Sequence, residues 1–85
     1  MTLTNAVKKA NKVTGMQPKI EGQFRLYNYK GWVLSFAQNG RDDYATNYYT
    51  RREDQQDDLQ TDYFAGTFHD NLTQAFNFIN RMQKN

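Results

Sequence analysis

The spacing of large side chains changes period twice along this 85-residue chain, and that change limits the folds open to it. Leu3, Ala6, Val7, Ala10 and Val13 recur every three to four residues, the stripe of an amphipathic helix. Between residues 19 and 52 the recurrence drops to two, the period of a strand. It lengthens again toward the C-terminus, where Phe68, Leu72, Ala75, Phe76 and Ile79 form a second helical stripe. An antiparallel sheet needs one face covered, and two amphipathic helices can cover it. The expected class is α+β, in the order α-β-β-β-(β)-α. A small antiparallel sheet would carry both helices on one face, in a single domain over residues 1–85.

Local signals refine that outline. Thr2 is placed to cap the first helix and Gly15 to end it in a left-handed turn. Pro18, the only proline, marks the passage into the sheet. Residues 19–29 alternate, with Phe24, Leu26 and Asn28 on one side and Gln23, Arg25, Tyr27 and Tyr29 on the other. Lys30-Gly31 reads as a hairpin turn. Trp32, Leu34 and Phe36 then share a side directed at the core, and Asn39-Gly40 ends that strand. Residues 44–52 form a third strand rich in Tyr and Thr. Residues 53–62 read as an exposed acidic loop, and 63–68 as a short fourth strand or an extended lead-in. Thr67 and Asp70 fit a capping pattern for the second helix. Phe78 lies off that helix's stripe, and Arg81 and Lys84 suit the negative end of its dipole.

Only 38% of the residues are apolar, but six Tyr, six Phe and one Trp supply large rings that can close a small core. The absence of cysteine excludes a disulfide scaffold, a cysteine-ligated zinc and thiol catalysis, and suits a reducing cytoplasm. No apolar run approaches the roughly 20 residues that span a bilayer, and no basic-then-apolar leader opens the chain. The expectation is a cytoplasmic protein that does not engage a membrane. Phosphate-loop, nucleophile-elbow and zinc-protease patterns are missing. His69, the only histidine, has Asp62 and Asp70 nearby. One imidazole and two carboxylates fall short of the several convergent groups that catalysis or a metal requires. The sequence points to binding without catalysis, metal or cofactor.

Charge is unevenly spread. Residues 1–41 hold seven bases and one acid, whereas residues 42–85 hold four bases and eight acids. Such asymmetry steers association. Adjacent Tyr48 and Tyr49 point to opposite sides of a strand, so one is expected to be exposed beside Arg51 and Arg52, a combination common in protein interfaces. Tyr27 and Tyr29 form a second candidate aromatic surface. The acidic run offers Asp54, Asp57, Asp58 and Asp62 to a basic partner, or as a local imitation of a phosphate backbone. Lys8, Lys9 and Lys12 on the first helix give an alternative, nucleic-acid-binding surface. The element order matches the double-stranded-RNA-binding domain, but that family reads phosphates from basic residues at the start of its last helix. Here that position is His69-Asp70-Asn71.

Three segments are distinctive: Gly31-Trp32-Val33-Leu34-Ser35-Phe36, Tyr48-Tyr49-Thr50-Arg51-Arg52, and the run Thr61-Asp62-Tyr63-Phe64-Ala65-Gly66-Thr67-Phe68-His69-Asp70-Asn71-Leu72-Thr73-Gln74-Ala75. Together they resemble a family of small proteins carried by bacteriophages, plasmids and integrative elements of proteobacteria. Similar segments occur as domains of the large polyvalent proteins that such elements carry. The resemblance implies a counter-defence setting, such as an anti-CRISPR protein that inhibits a CRISPR–Cas or restriction complex of the bacterial host by occupying its surface. It implies no catalytic residue, and leaves both a monomer and a homodimer open.

Overall fold

Two-residue loops set the register of the sheet, and the register decides which rings become core. The computed structural model describes residues 1–58, 60, 61 and 63–83. It runs α1 (Leu3–Thr14), β1 (Lys19–Glu21), β2 (Phe24–Tyr29), β3 (Trp32–Gln38), β4 (Ala45–Arg52), β5 (Thr67–His69) and α2 (Leu72–Met82). The strands form one antiparallel meander in the order β1-β2-β3-β4-β5. The arrangement is α+β, as expected, but with five strands. The double-stranded-RNA-binding order is therefore not reproduced.

The alternating stretch 19–29 is two strands rather than one. Gly22, at φ 59°, opens a two-residue loop with Gln23 that pairs Glu21 with Phe24. Lys30 and Gly31 both have positive φ, 53° and 81°, as a type I′ hairpin loop demands. This tight loop pairs Tyr29 with Trp32 and Tyr27 with Leu34. Directly paired residues share a sheet face, so Tyr27 and Tyr29 lie with the core rings and make no separate aromatic surface. Tyr27 is almost wholly buried and Tyr29 half-buried against the core.

That face carries both helices. Ala6 and Ala10 of α1 are buried together with Tyr27 and Phe36, and the Tyr27 hydroxyl lies 2.7 Å from the side-chain amide of Asn11. On α2, Phe76 meets Tyr29 edge-on at 5.7 Å. Phe78, off the apolar stripe, meets Trp32 at 5.4 Å and the His69 ring at 5.0 Å. Leu34, Phe36, Leu72 and Ile79 are fully buried, each stabilising the fold by roughly 1.5–3 kcal/mol. Val13, counted in the α1 stripe, is 41% exposed.

One extra residue aligns β4 with this core. Ser35 pairs with Tyr49 but Ala37 pairs with Thr46, so Asn47 and Tyr48 together oppose Phe36. Asn47 takes the left-handed conformation, φ 55°, which Asn tolerates better than most residues. The bulge resets the alternation, placing Ala45 and Tyr48 on the core side of the sheet.

The helix ends follow local chemistry. The Thr2 hydroxyl accepts the Asn5 N–H, and Gly15 closes α1 at φ 72°. The second helix starts later than its sequence pattern suggests. Its cap is Asn71, whose side chain accepts the Gln74 N–H at 2.9 Å, while Gln74 reaches back to the Asp70 N–H. Thr67, Phe68 and His69 belong instead to β5, pulled into extended form by pairing with β4. Lys84 lies outside the described residues. Replacing Asn71 with Ala removes the cap and is expected to cost about 1 kcal/mol, whereas Asp70→Ala stays within about 0.5 kcal/mol. Chemical denaturation of the two variants checks the assignment.

Candidate functional site

Among the described residues the opposite sheet face carries no helix. Alternation brings to it Lys19 and Glu21 of β1, Phe24, Leu26 and Asn28 of β2, Val33, Ser35 and Ala37 of β3, Tyr49 and Arg51 of β4, and Phe68 of β5. Small residues on β3 make a low floor between larger neighbours. Two adjoining depressions result, of about 320 and 330 Å3. Both are lined by Glu21, Leu26, Val33 and Arg51. Phe24 and Phe68 stand at the rim of the second, 50% and 52% exposed. The charges here come in opposite pairs: Lys19 with Glu21 at 3.0 Å, and Arg51 with Asp57 at 4.0 Å.

The far half of the same face is occupied by the acidic segment. The Tyr49 hydroxyl accepts the Gly66 N–H at 2.8 Å and donates to the Asp57 carboxylate. Asp57 also accepts the Ala65 N–H at 2.8 Å. Arg51 donates to the Gln55 carbonyl at 2.6 Å. Beyond this clamp, Asp58 and Tyr63 exchange backbone hydrogen bonds of 2.9 and 2.8 Å. Phe64 and Phe68 then pack on the Tyr49 ring, with centroids 6.1 and 4.6 Å away. A β-carbon on Gly66 would lie 2.0 Å from the Thr50 carbonyl oxygen, so only glycine lets the segment come this close to β4.

Burial shapes the ionisation of the clamp. Tyr49 is pushed up to about 12, first by burial, then by the hydrogen bond and charge of Asp57; the Gly66 N–H and Arg51 oppose the shift. Tyr27 is likewise pushed up to about 12 by burial, opposed by Arg25.

These contacts redistribute the residues singled out from sequence. Tyr48 and Tyr49 do point to opposite faces, yet neither is exposed. Tyr48 packs beside Phe36 at 5.9 Å, and Tyr49 is covered by the clamped segment. Arg51 belongs to the helix-free face. Arg52 lies on the other side, over the Trp32 ring at 5.3 Å and near Asp54 at 3.8 Å. Asp54 and Asp58 are exposed, whereas Asp57 is half-buried at the centre of the clamp. Asp62 lies outside the described residues. Lys8 and Lys12 are exposed, while Lys9 donates to the Thr73 hydroxyl, tying α1 to α2. Phe24, Phe64 and Phe68, which sequence reasoning did not select, are exposed, and Leu26, also not selected, lines both depressions.

His69 faces the helix side, where its Nε2 is 2.8 Å from the Thr50 hydroxyl. Burial holds its pKa below the usual value, Arg81 adds to this, and Asp70 opposes it. Among the described residues no group of three His, Cys, Asp or Glu side chains is arranged to hold a metal. No helix there is long and apolar enough to cross a membrane.

The fold and this surface define a two-layer α+β protein with one open sheet face. Comparison of the chain with protein-family models, curated proteins and solved structures found no match.

The raised tyrosines have a consequence at high pH. An unfolded Tyr ionises near 10, whereas Tyr27 and Tyr49 stay neutral to about 12 in the fold. Their contribution to stability is intact below pH 10 and is lost as pH rises toward 12. Urea midpoints measured from pH 8 to 11.5 should fall above pH 10, with a shallower fall in Tyr49→Phe and Tyr27→Phe.

Proposed function

We propose that this protein is a non-enzymatic inhibitor from a mobile genetic element, acting on a host defence complex by direct protein binding. The target class is a CRISPR–Cas effector or a restriction complex, and the docking surface is the helix-free sheet face with its acidic border. The observation that carries the reading is the half-exposed aromatic rim of Phe24 and Phe68 beside a floor of small residues. Apolar rings surrounded by polar groups make the energetic centre of protein interfaces. The family resemblance of the three sequence segments supplies the biological setting.

Chemistry favours a protein over a nucleic acid at this face. Arg51 and Lys19 are each matched by a carboxylate, so a phosphate backbone meets no net attraction. The nucleic-acid alternative rests on a different surface, the exposed Lys8 and Lys12 of α1.

The test measures DNA binding and cleavage by a panel of host CRISPR–Cas and restriction effectors, with and without the purified chain. Inhibition should fall roughly tenfold or more in Phe24→Asp, and less in the double reversal Asp54→Lys, Asp58→Lys, with thermal unfolding unchanged. Reversal at Asp57 is unsuitable, because it breaks the clamp. Inhibition indifferent to all three substitutions contradicts the reading. Salt-sensitive binding of DNA or RNA by the chain, lost in Lys8→Glu, Lys12→Glu, decides for the alternative.

A further inference from the structure

The outer edge of β1 is an open strand edge with a self-complementary sequence. All three of its residues are exposed, and Ile20, at 63%, is the most exposed of the large apolar residues described. The two-residue loop at Gly22-Gln23 makes Glu21 and Phe24 the hydrogen-bonded pair next to the turn. Hydrogen-bonded and non-bonded pairs alternate in an antiparallel ladder. Ile20 therefore stands opposite Arg25 in a non-bonded pair, and its N–H and C=O point away from β2, toward the open side.

We infer that two copies of this chain associate through β1, antiparallel about Ile20, to form a continuous ten-stranded sheet. In that register Ile20 pairs with the partner's Ile20, and each exchanges its free N–H and C=O with the other. Lys19 then falls opposite the partner's Glu21, and Glu21 opposite the partner's Lys19. These flanking pairs are of the non-bonded kind, which brings side chains closest, and opposite charges so placed stabilise a sheet. Lys19 and Glu21 already lie 3.0 Å apart on one face with well-exposed side chains. The two copies thus build a quartet of alternating charge. Pro18, which has no N–H, limits the ladder to this three-residue stretch, so the alternative registers are weaker.

The pairing also bears on the helix-free face. Both depressions reach Glu21 at the β1 border, where a lone chain has no further strand. The partner's Lys19 and Glu21 supply that missing wall and join the two faces into one surface. This goes beyond the proposed inhibitory role and does not depend on it. A contact this small belongs to the weak, concentration-dependent class of interfaces.

Sedimentation equilibrium of the purified chain tests the pairing. The average mass should rise from one toward two chains with concentration. Lys19→Glu and Glu21→Lys each place like charges opposite one another twice, and should weaken self-association roughly tenfold or more. Mixed one to one, these two variants should recover a heterodimer, because each Glu then faces a Lys. A wild-type chain that stays monomeric throughout overturns the inference. So does a dimer that tolerates both single reversals, or variants that fail to complement. Circular dichroism of each variant alone confirms that the sheet is retained.

Discussion

A hydroxyl buried on a sheet face must find both a donor and an acceptor, and the Tyr49 hydroxyl finds them at two points of one segment. It accepts from the Gly66 N–H and donates to Asp57, eight and seventeen residues further along the chain respectively for the carboxylate and the amide. Closing a loop of this length costs conformational entropy. Two hydrogen bonds at one atom, the Ala65 N–H on the same carboxylate and the rings of Phe64 and Phe68 on the phenol offset that cost. The acidic segment is consequently part of the folded surface. Its position determines which half of the helix-free face is covered and which half keeps its depressions.

Much of the fold was legible in the chain. The change of period from helix to strand and back, the Thr2 cap, the Gly15 stop and the bracket of two helices around a sheet all follow from local chemistry. The register of the β2–β3 hairpin was legible too, though its consequence was missed. A two-residue loop at Lys30-Gly31 puts Tyr27 opposite Leu34, so a core assignment for Leu34 carries Tyr27 with it. The spacing Asn71 to Gln74 likewise held a capping signal, masked by the competing Thr67 and Asp70.

Other features depend on tertiary structure that no local pattern encodes. The bulge at Asn47 leaves no mark except an Asn, and it alone brings Ala45 onto the core side of the sheet. Tyr49 follows strand alternation correctly, and sequence periodicity still misjudges its burial, because what covers it returns from the far side of a loop. Gly66 falls in the stretch read from sequence as a short strand or an extended lead-in, whereas its importance lies in close approach to the Thr50 carbonyl. Exposed Phe68 matches the helical spacing of Leu72 and Phe76, but pairing with Tyr49 draws it into a strand and turns it to the open face.

The division of the helix-free face into a covered half and an open half therefore rests on the Tyr49 clamp. Amide hydrogen exchange on the wild type and Tyr49→Phe tests it directly. The substitution keeps the ring and removes only the hydroxyl. Exchange at Ala65 and Gly66 should be slow in the wild type and accelerate in Tyr49→Phe, while the β2–β3 amides keep their protection. Equal exchange at Ala65 and Gly66 in the two proteins would contradict the account, since the segment would then be held by something other than this phenol.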